Sequence, residues 1–177
     1  MSVARALRIG HSASAGPFGL SPDTAPVQTA SVIRLGAPAD YPAAAAVYRR
    51  ASLSNAGDRD SLLAHPEHLI LAPEALVESR TFVAEQDGSV VGFATWLEAG
   101  NGVELDDLFV DPDWRRRGIA TALLITIVDV LRMRGVSRLE VTANSHALGF
   151  YREVGFVDIG TAETEFGAAR RMALMIL

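Results

Sequence analysis

The residues best suited to chemistry lie between Val103 and Leu131, in the run VELDDLFVDPDWRRRGIATALLITIVDVL. Arg115, Arg116 and Arg117 stand directly before Gly118, and an apolar-faced segment follows. A helix that begins there carries unpaired N–H groups and partial positive charge in its first turn. Glycine lets a ligand approach that backbone, because no Cβ intervenes. With three guanidinium groups beside it, the turn is a cradle for a diphosphate, although a solvated basic turn has the same composition. Neither G-x-G-x-x-G nor G-x-x-x-x-G-K-[ST] occurs, so a dinucleotide fingerprint and a P-loop are both absent. On the other side of Pro112, Glu104, Asp106 and Asp107 can form an acidic rim that attracts a cationic amine. Asp106 shares the strand parity of Glu104, whereas Asp107 points the other way unless a bulge intervenes.

These residues need elements to hold them. Val103–Val110 reads as a strand, stopped by Pro112, which cannot donate to a ladder. A helix from about Arg117–Gly118 buries Ala120, Leu123, Leu124, Ile127, Val130 and Leu131 at helical spacing, and Gly135 caps it. Upstream, Ser31–Leu35 is a strand, and Asp40 N-caps a helix with Pro42 in its first turn, ending near Ser52. Arg59–Ala64 and Glu74–Ser79 are short helices separated by Pro66 and Pro73. Thr81–Glu85 and Ser89–Leu97 form a hairpin through Asp87-Gly88. Downstream, strand Arg138–Ala143 leads to a helix capped by Asn144 or Ser145, with Ala147, Phe150, Tyr151 and Val154 on one face. Phe156–Ile159 and Arg170–Ile176 close the sheet. The order is that of an α/β domain with a mixed sheet.

Two blocks carry a family resemblance. Arg115-x-x-Gly118-x-Ala120, after Leu108-Phe109-Val110-Asp111-Pro112, resembles the acyl-CoA-binding signature of the GNAT superfamily of N-acetyltransferases. Asn144-Ser145-His146-Ala147-Leu148-Gly149-Phe150-Tyr151-Arg152-Glu153-Val154-Gly155-Phe156 resembles its second segment, N-x-x-A-x-x-F-Y-x-x-x-G-F. The resemblance covers Val32 to Leu177. It implies a mixed, mostly antiparallel sheet of six to seven strands flanked by helices, in which the parallel strands Val103–Val110 and Arg138–Ala143 splay apart. The pantetheine arm of acetyl-CoA then enters the V. Leu108, Phe109 and Val110 supply the strand beside it, and the backbone of Arg115, Arg116, Arg117, Gly118, Ile119, Ala120 and Thr121 holds the diphosphate. Asn144 contacts the pantetheine or serves only as a helix cap. Tyr151 is the expected general acid for the leaving thiolate, against a purely structural role as a core aromatic. Glu104 is the leading candidate for the base that takes the amine proton. An amine with a pKa of about 10.4 is almost wholly charged at neutral pH, which is why a base would help.

The implied reaction moves acetyl from acetyl-CoA directly to a primary amine on a small molecule or protein. Its rival is a non-catalytic module that binds an acyl-CoA and reports it to a partner. The chain has no cysteine, hence neither a disulfide framework nor a thiolate nucleophile. A net charge of −5 argues against nucleic acid as a partner of the RRRG turn. No apolar run approaches the roughly 20 residues of a membrane span, so a cytoplasmic protein is expected. A homodimer is compatible with the resemblance. No metal is expected: His65 and His68 are three apart, but Pro66 interrupts the helix that would align them. His11 and His146 are read as surface residues, Arg49 and Arg50 as a solvated helix face. Trp96 lines an acceptor pocket or packs in the core, and Trp114 has no evident role. Residues 1–30, rich in Ser, Ala, Pro and Gly, are expected to be a flexible extension to a domain spanning residues 31–177.

Overall fold

The computed structural model of the chain describes residues 5–6, 31–100, 102–164 and 167–177. The expected flexible extension and His11 therefore lie outside the described residues, apart from one two-residue strand, β1 (Arg5–Ala6). The other strands are β2 (Val32–Leu35), β3 (Thr81–Gln86), β4 (Ser89–Ala99), β5 (Gly102–Val110), β6 (Arg138–Ala143), β7 (Val157–Thr164) and β8 (Gly167–Met175). The helices are α1 (Tyr41–Leu53), α2 (Arg59–Ala64), α3 (Glu74–Val77), α4 (Ile119–Met133) and α5 (Leu148–Glu153). Strands run β2-β3-β4-β5-β6-β8-β7 across the sheet, and β1 pairs with β5 off that path. All neighbours are antiparallel except β5 with β6 and β1 with β5. The expected mixed sheet with one parallel pair is thus present, and β1 adds a short eighth strand.

Each face of the sheet carries its own core. Leu123, Leu124, Ile127 and Leu131 of α4 pack with Phe150 and Tyr151 of α5 against Leu105, Leu108 and Val110. Ala44, Val47, Tyr48 and Ala51 of α1 pack with Leu76 of α3 against Phe93 and Phe109. Neighbouring residues of β5 thus serve opposite faces, as strand alternation requires.

Local chemistry differs from expectation at several ends. Asp40 precedes α1 but makes no side-chain cap to it. Its carboxylate accepts from Ala37 N at 2.8 Å and from the Arg34 guanidinium, closing the preceding 3-10 turn instead. As expected, α2 ends before Pro66, with His65 out of the helical region, and Pro66 begins a second 3-10 turn, Pro66–Leu69. Asp87 and Gly88, with φ of 50° and 76°, form the expected hairpin turn. The closing hairpin is longer than expected, because β7 continues to Thr164.

Candidate active site

Strand β5 sets the geometry. Thr95 of β4 pairs with Asp107, but Trp96 pairs with Leu105, so Asp106 is an extra residue in β5. This bulge resolves the parity question left open by the sequence. It lets Leu105 and Leu108, three apart, share one core. Beside it, β5 and β6 pair only at Val103↔Leu139 and Glu104↔Glu140, then part. The V expected from the resemblance opens beyond Glu104. Arg5 and Ala6 of β1 lie against Asp107 and Leu108 on this edge.

Past Val110 the chain turns sharply. Asp111 is buried, and its side chain accepts from Asp113 N at 3.0 Å. Arg50 of α1 donates to the other carboxylate oxygen through Nε, 2.8 Å, and a second guanidinium nitrogen, 2.5 Å. The backbone then takes positive φ at Arg116, 64°, and at Gly118, 76°. Left-handed residues alternating with ordinary ones turn successive N–H groups toward one side, the backbone form of an anion nest. Gly118 is the N-cap of α4, and the first helical bond runs from Ala122 N to Gly118 O, 2.9 Å. The N–H groups of Ile119, Ala120 and Thr121 thus lack intrahelical partners. Nothing approaches within 4 Å of the place where a Cβ on Gly118 would stand, so the nest is open to a ligand.

A cleft of about 440 Å³ joins the V to this turn. Among the expected cofactor residues it is lined by Leu108, Val110, Arg115, Arg116, Gly118, Ile119, Ala120 and Thr121. Tyr151 also lines it, together with Trp114, Phe150, Glu153 and Val154, which sequence reasoning had not placed there. Four expected site residues are not in that lining. Phe109 points into the α1 core, edge-on to Tyr48 at 4.8 Å and stacked on Phe93 at 5.6 Å. Arg117 turns back over the Trp114 ring at 4.5 Å, which gives that tryptophan a role as its platform. Asn144 does not cap α5, whose N-cap is Ala147; its Oδ1 closes the preceding turn, accepting from His146 N and Ala147 N, both at 3.1 Å. Glu104 sits at the apex of the V, accepting from Thr142 Oγ1 at 2.8 Å.

Arg115 bridges two elements. Its guanidinium donates to Ser54 Oγ, 2.6 Å, at the end of α1, while the side chain still borders the cleft. Burial lowers its pKa, with the Asp111 charge acting in the opposite sense. Arg50, expected on a solvated face, is instead part of this junction. The signal for it lay in Asp111-Pro112-Asp113: an aspartate whose side chain closes a local turn leaves an oxygen for a cation. Trp96 is in the core, 2% exposed, with the Arg134 guanidinium over its ring at 4.6 Å. Tyr151 is buried, and burial pushes its phenol well above the ordinary range, the Asp107 carboxylate adding to the shift. A phenol so placed keeps its proton and has it available to donate.

The sequence model of the Acetyltransferase (GNAT) family matches residues 40–156. An uncharacterised N-acetyltransferase of Methanocaldococcus jannaschii is 36% identical over 89 residues, 45% of this chain and 39% of that protein. The ribosomal protein bS18-alanine N-acetyltransferase of Escherichia coli K12 is 37% identical over 78 residues, 42% of this chain and 53% of that protein. The aligned part is thus about half or less of these relatives. The crystal structure of the Escherichia coli ribosomal-protein-S18-alanine N-acetyltransferase superposes with a TM-score of 0.61 at 28% identity, covering 82% of this chain and 94% of that one. The PaiA N-acetyltransferase of Thermoplasma acidophilum, solved with coenzyme A, gives 0.67 at 17% identity, covering 83% and 99%, a likeness of fold. With a matched segment that takes in the nest, the V and Tyr151, the chain belongs to the GNAT acetyltransferase family.

Proposed function

We propose that the protein transfers acetyl from acetyl-CoA directly to a primary amine. The observation that carries this reading is the parting of β5 and β6 beside an open nest, with a buried phenol in the wall between them. The N–H groups of Ile119–Thr121 and the Arg116 guanidinium hold the diphosphate. The pantetheine arm runs along the edge of β5 that faces the V, by strand addition near Leu108 and Val110. Because β1 pairs with that same edge, the arm and β1 exclude one another.

With the thioester in the V, the amine attacks the carbonyl carbon and negative charge grows on its oxygen. A backbone N–H near Leu108 stabilises that charge. As the C–S bond breaks, the Tyr151 hydroxyl in the cleft wall gives its proton to the departing sulfur. Glu104, fixed by Thr142, takes the amine proton through water. The acceptor is a cationic amine drawn by Glu104, Asp106 and Asp107. A non-catalytic acyl-CoA sensor predicts the same binding without thiol release.

Thiol release from acetyl-CoA with a panel of amines tests the reading. Tyr151→Phe is expected to lower kcat by roughly 100-fold while leaving the calorimetric Kd for acetyl-CoA unchanged. An undiminished kcat removes Tyr151 from the acid role, and binding without release by the wild-type chain favours the sensor.

A further inference from the structure

A second cluster of chemically competent side chains stands outside the cleft, on the 3-10 turn Pro66–Leu69 between α2 and α3. Proline there argued against pairing His65 with His68 so long as the segment was taken as α-helical. In the fold Pro66 occupies the first position of the turn, where its missing N–H has no helical partner to lose. A 3-10 helix has three residues per turn, so residues i and i+3 eclipse. The His65 and His68 rings accordingly stand 5.8 Å apart, centroid to centroid. Glu67 folds back between them, its Oε1 3.2 Å from His65 Nδ1. One donor atom from each of the three residues lies within 4.8 Å of the others.

The backbone beneath this cluster is tethered. The hydroxyl of buried Tyr48 donates to His68 O at 2.6 Å, and that of Tyr41 donates to Leu71 O at 3.0 Å. His68 N donates to His65 O at 3.1 Å, and Leu69 is buried below. Only side-chain rotation is then needed to gather the donors. Tetrahedral ligands at about 2.1 Å from an ion stand about 3.4 Å apart, so the cluster must close by roughly an ångström, within rotamer reach on a fixed turn.

We propose that His65, Glu67 and His68 bind one divalent first-row transition ion. Two imidazoles and a carboxylate form a donor set suited to Zn²⁺, Ni²⁺ or Cu²⁺ and poorly suited to Mg²⁺ or Ca²⁺. His65 and Glu67 are 59% and 61% exposed, which leaves the remaining coordination positions to water or an outside ligand. The ion would pin the α2–α3 connection and so stabilise the fold by linkage.

The test uses the full chain, freed of metal by chelator and then dialysed, titrated with ZnCl₂. Calorimetry is expected to give one ion per chain, and Tm to rise with Zn²⁺ but not with Mg²⁺. Imidazole nitrogen spectra are expected to move two of the four histidines in the sequence. His65→Ala and His68→Ala should each weaken binding by roughly tenfold or more, and Glu67→Gln should weaken it in a chain that keeps its thermal transition. Absence of saturable binding overturns the proposal, as does equal movement of all four histidines or undiminished affinity in the double histidine variant. None of these readouts depends on acetyl transfer.

Discussion

The two faces of the sheet are held by different means. On the α4–α5 face, a 15-residue helix and a continuous apolar core fix the cleft, with the first turn of α4 at one end. On the α1–α3 face, the chain after α1 runs through short turns that leave Leu63, Ile70 and Val77 exposed. Tyrosine hydroxyls tie that segment down at His68 and Leu71. One face therefore presents a shape set by packing, the other a surface set by a few polar tethers.

Substitutions can break or sharpen this contrast. The largest expected effect is at Phe109, the β5 residue that faces α1 rather than the cleft. Phe109→Ala should cost about 3–5 kcal/mol in urea unfolding, since it empties the centre of the smaller core. An equal loss of acetyl-CoA affinity in chains that remain folded would show that the two faces are not separable. Next is Arg50→Ala, which leaves buried Asp111 without its cation. We expect a loss of about 1–2 kcal/mol, tempered by the exposure of Arg50, and a rise in KM for acetyl-CoA larger than that for the amine. Equal rises would mean that the α1–turn junction serves both substrates alike. The smallest effect is at Asp40. The Arg34 guanidinium beside it holds its carboxyl below the ordinary range. The folded chain therefore takes up that proton less readily than the unfolded one. The stabilisation is complete above the unfolded value of about 3.9 and is lost as pH falls through the lower folded value. Asp40→Asn should lower Tm modestly at pH 7, by an amount that shrinks as the pH is taken down into the acid range.

What the sequence made legible follows the same division. The β5–turn–α4 unit was readable because each signal there is local: proline ends the strand, glycine opens the helix, and leucines repeat at helical spacing. The lining of the cleft was readable where the backbone forms it, as at Gly118 to Thr121. Long-range partners were not. Nothing adjacent to Arg50 in the chain points to Asp111, and nothing near Arg115 points to Ser54. Phe109 was assigned to the cleft through its neighbours in a motif, whereas its side chain belongs to the opposite face. The meaning of Pro66 was missed because proline is compatible with the first position of a 3-10 turn as well as with the end of an α-helix.

The additional residue at Asp106 gives β5 one residue more than the stretch of β4 it pairs with. A substitution there changes one side chain at a bend. Removing the residue altogether would leave Trp96 opposite Leu105 and Thr95 opposite Asp107 in an unbroken ladder, with Leu108 and Val110 still facing the cleft and Phe109 still facing α1. Position 106 thus sets the bend and twist of β5 beside the V, not the faces that its neighbours occupy.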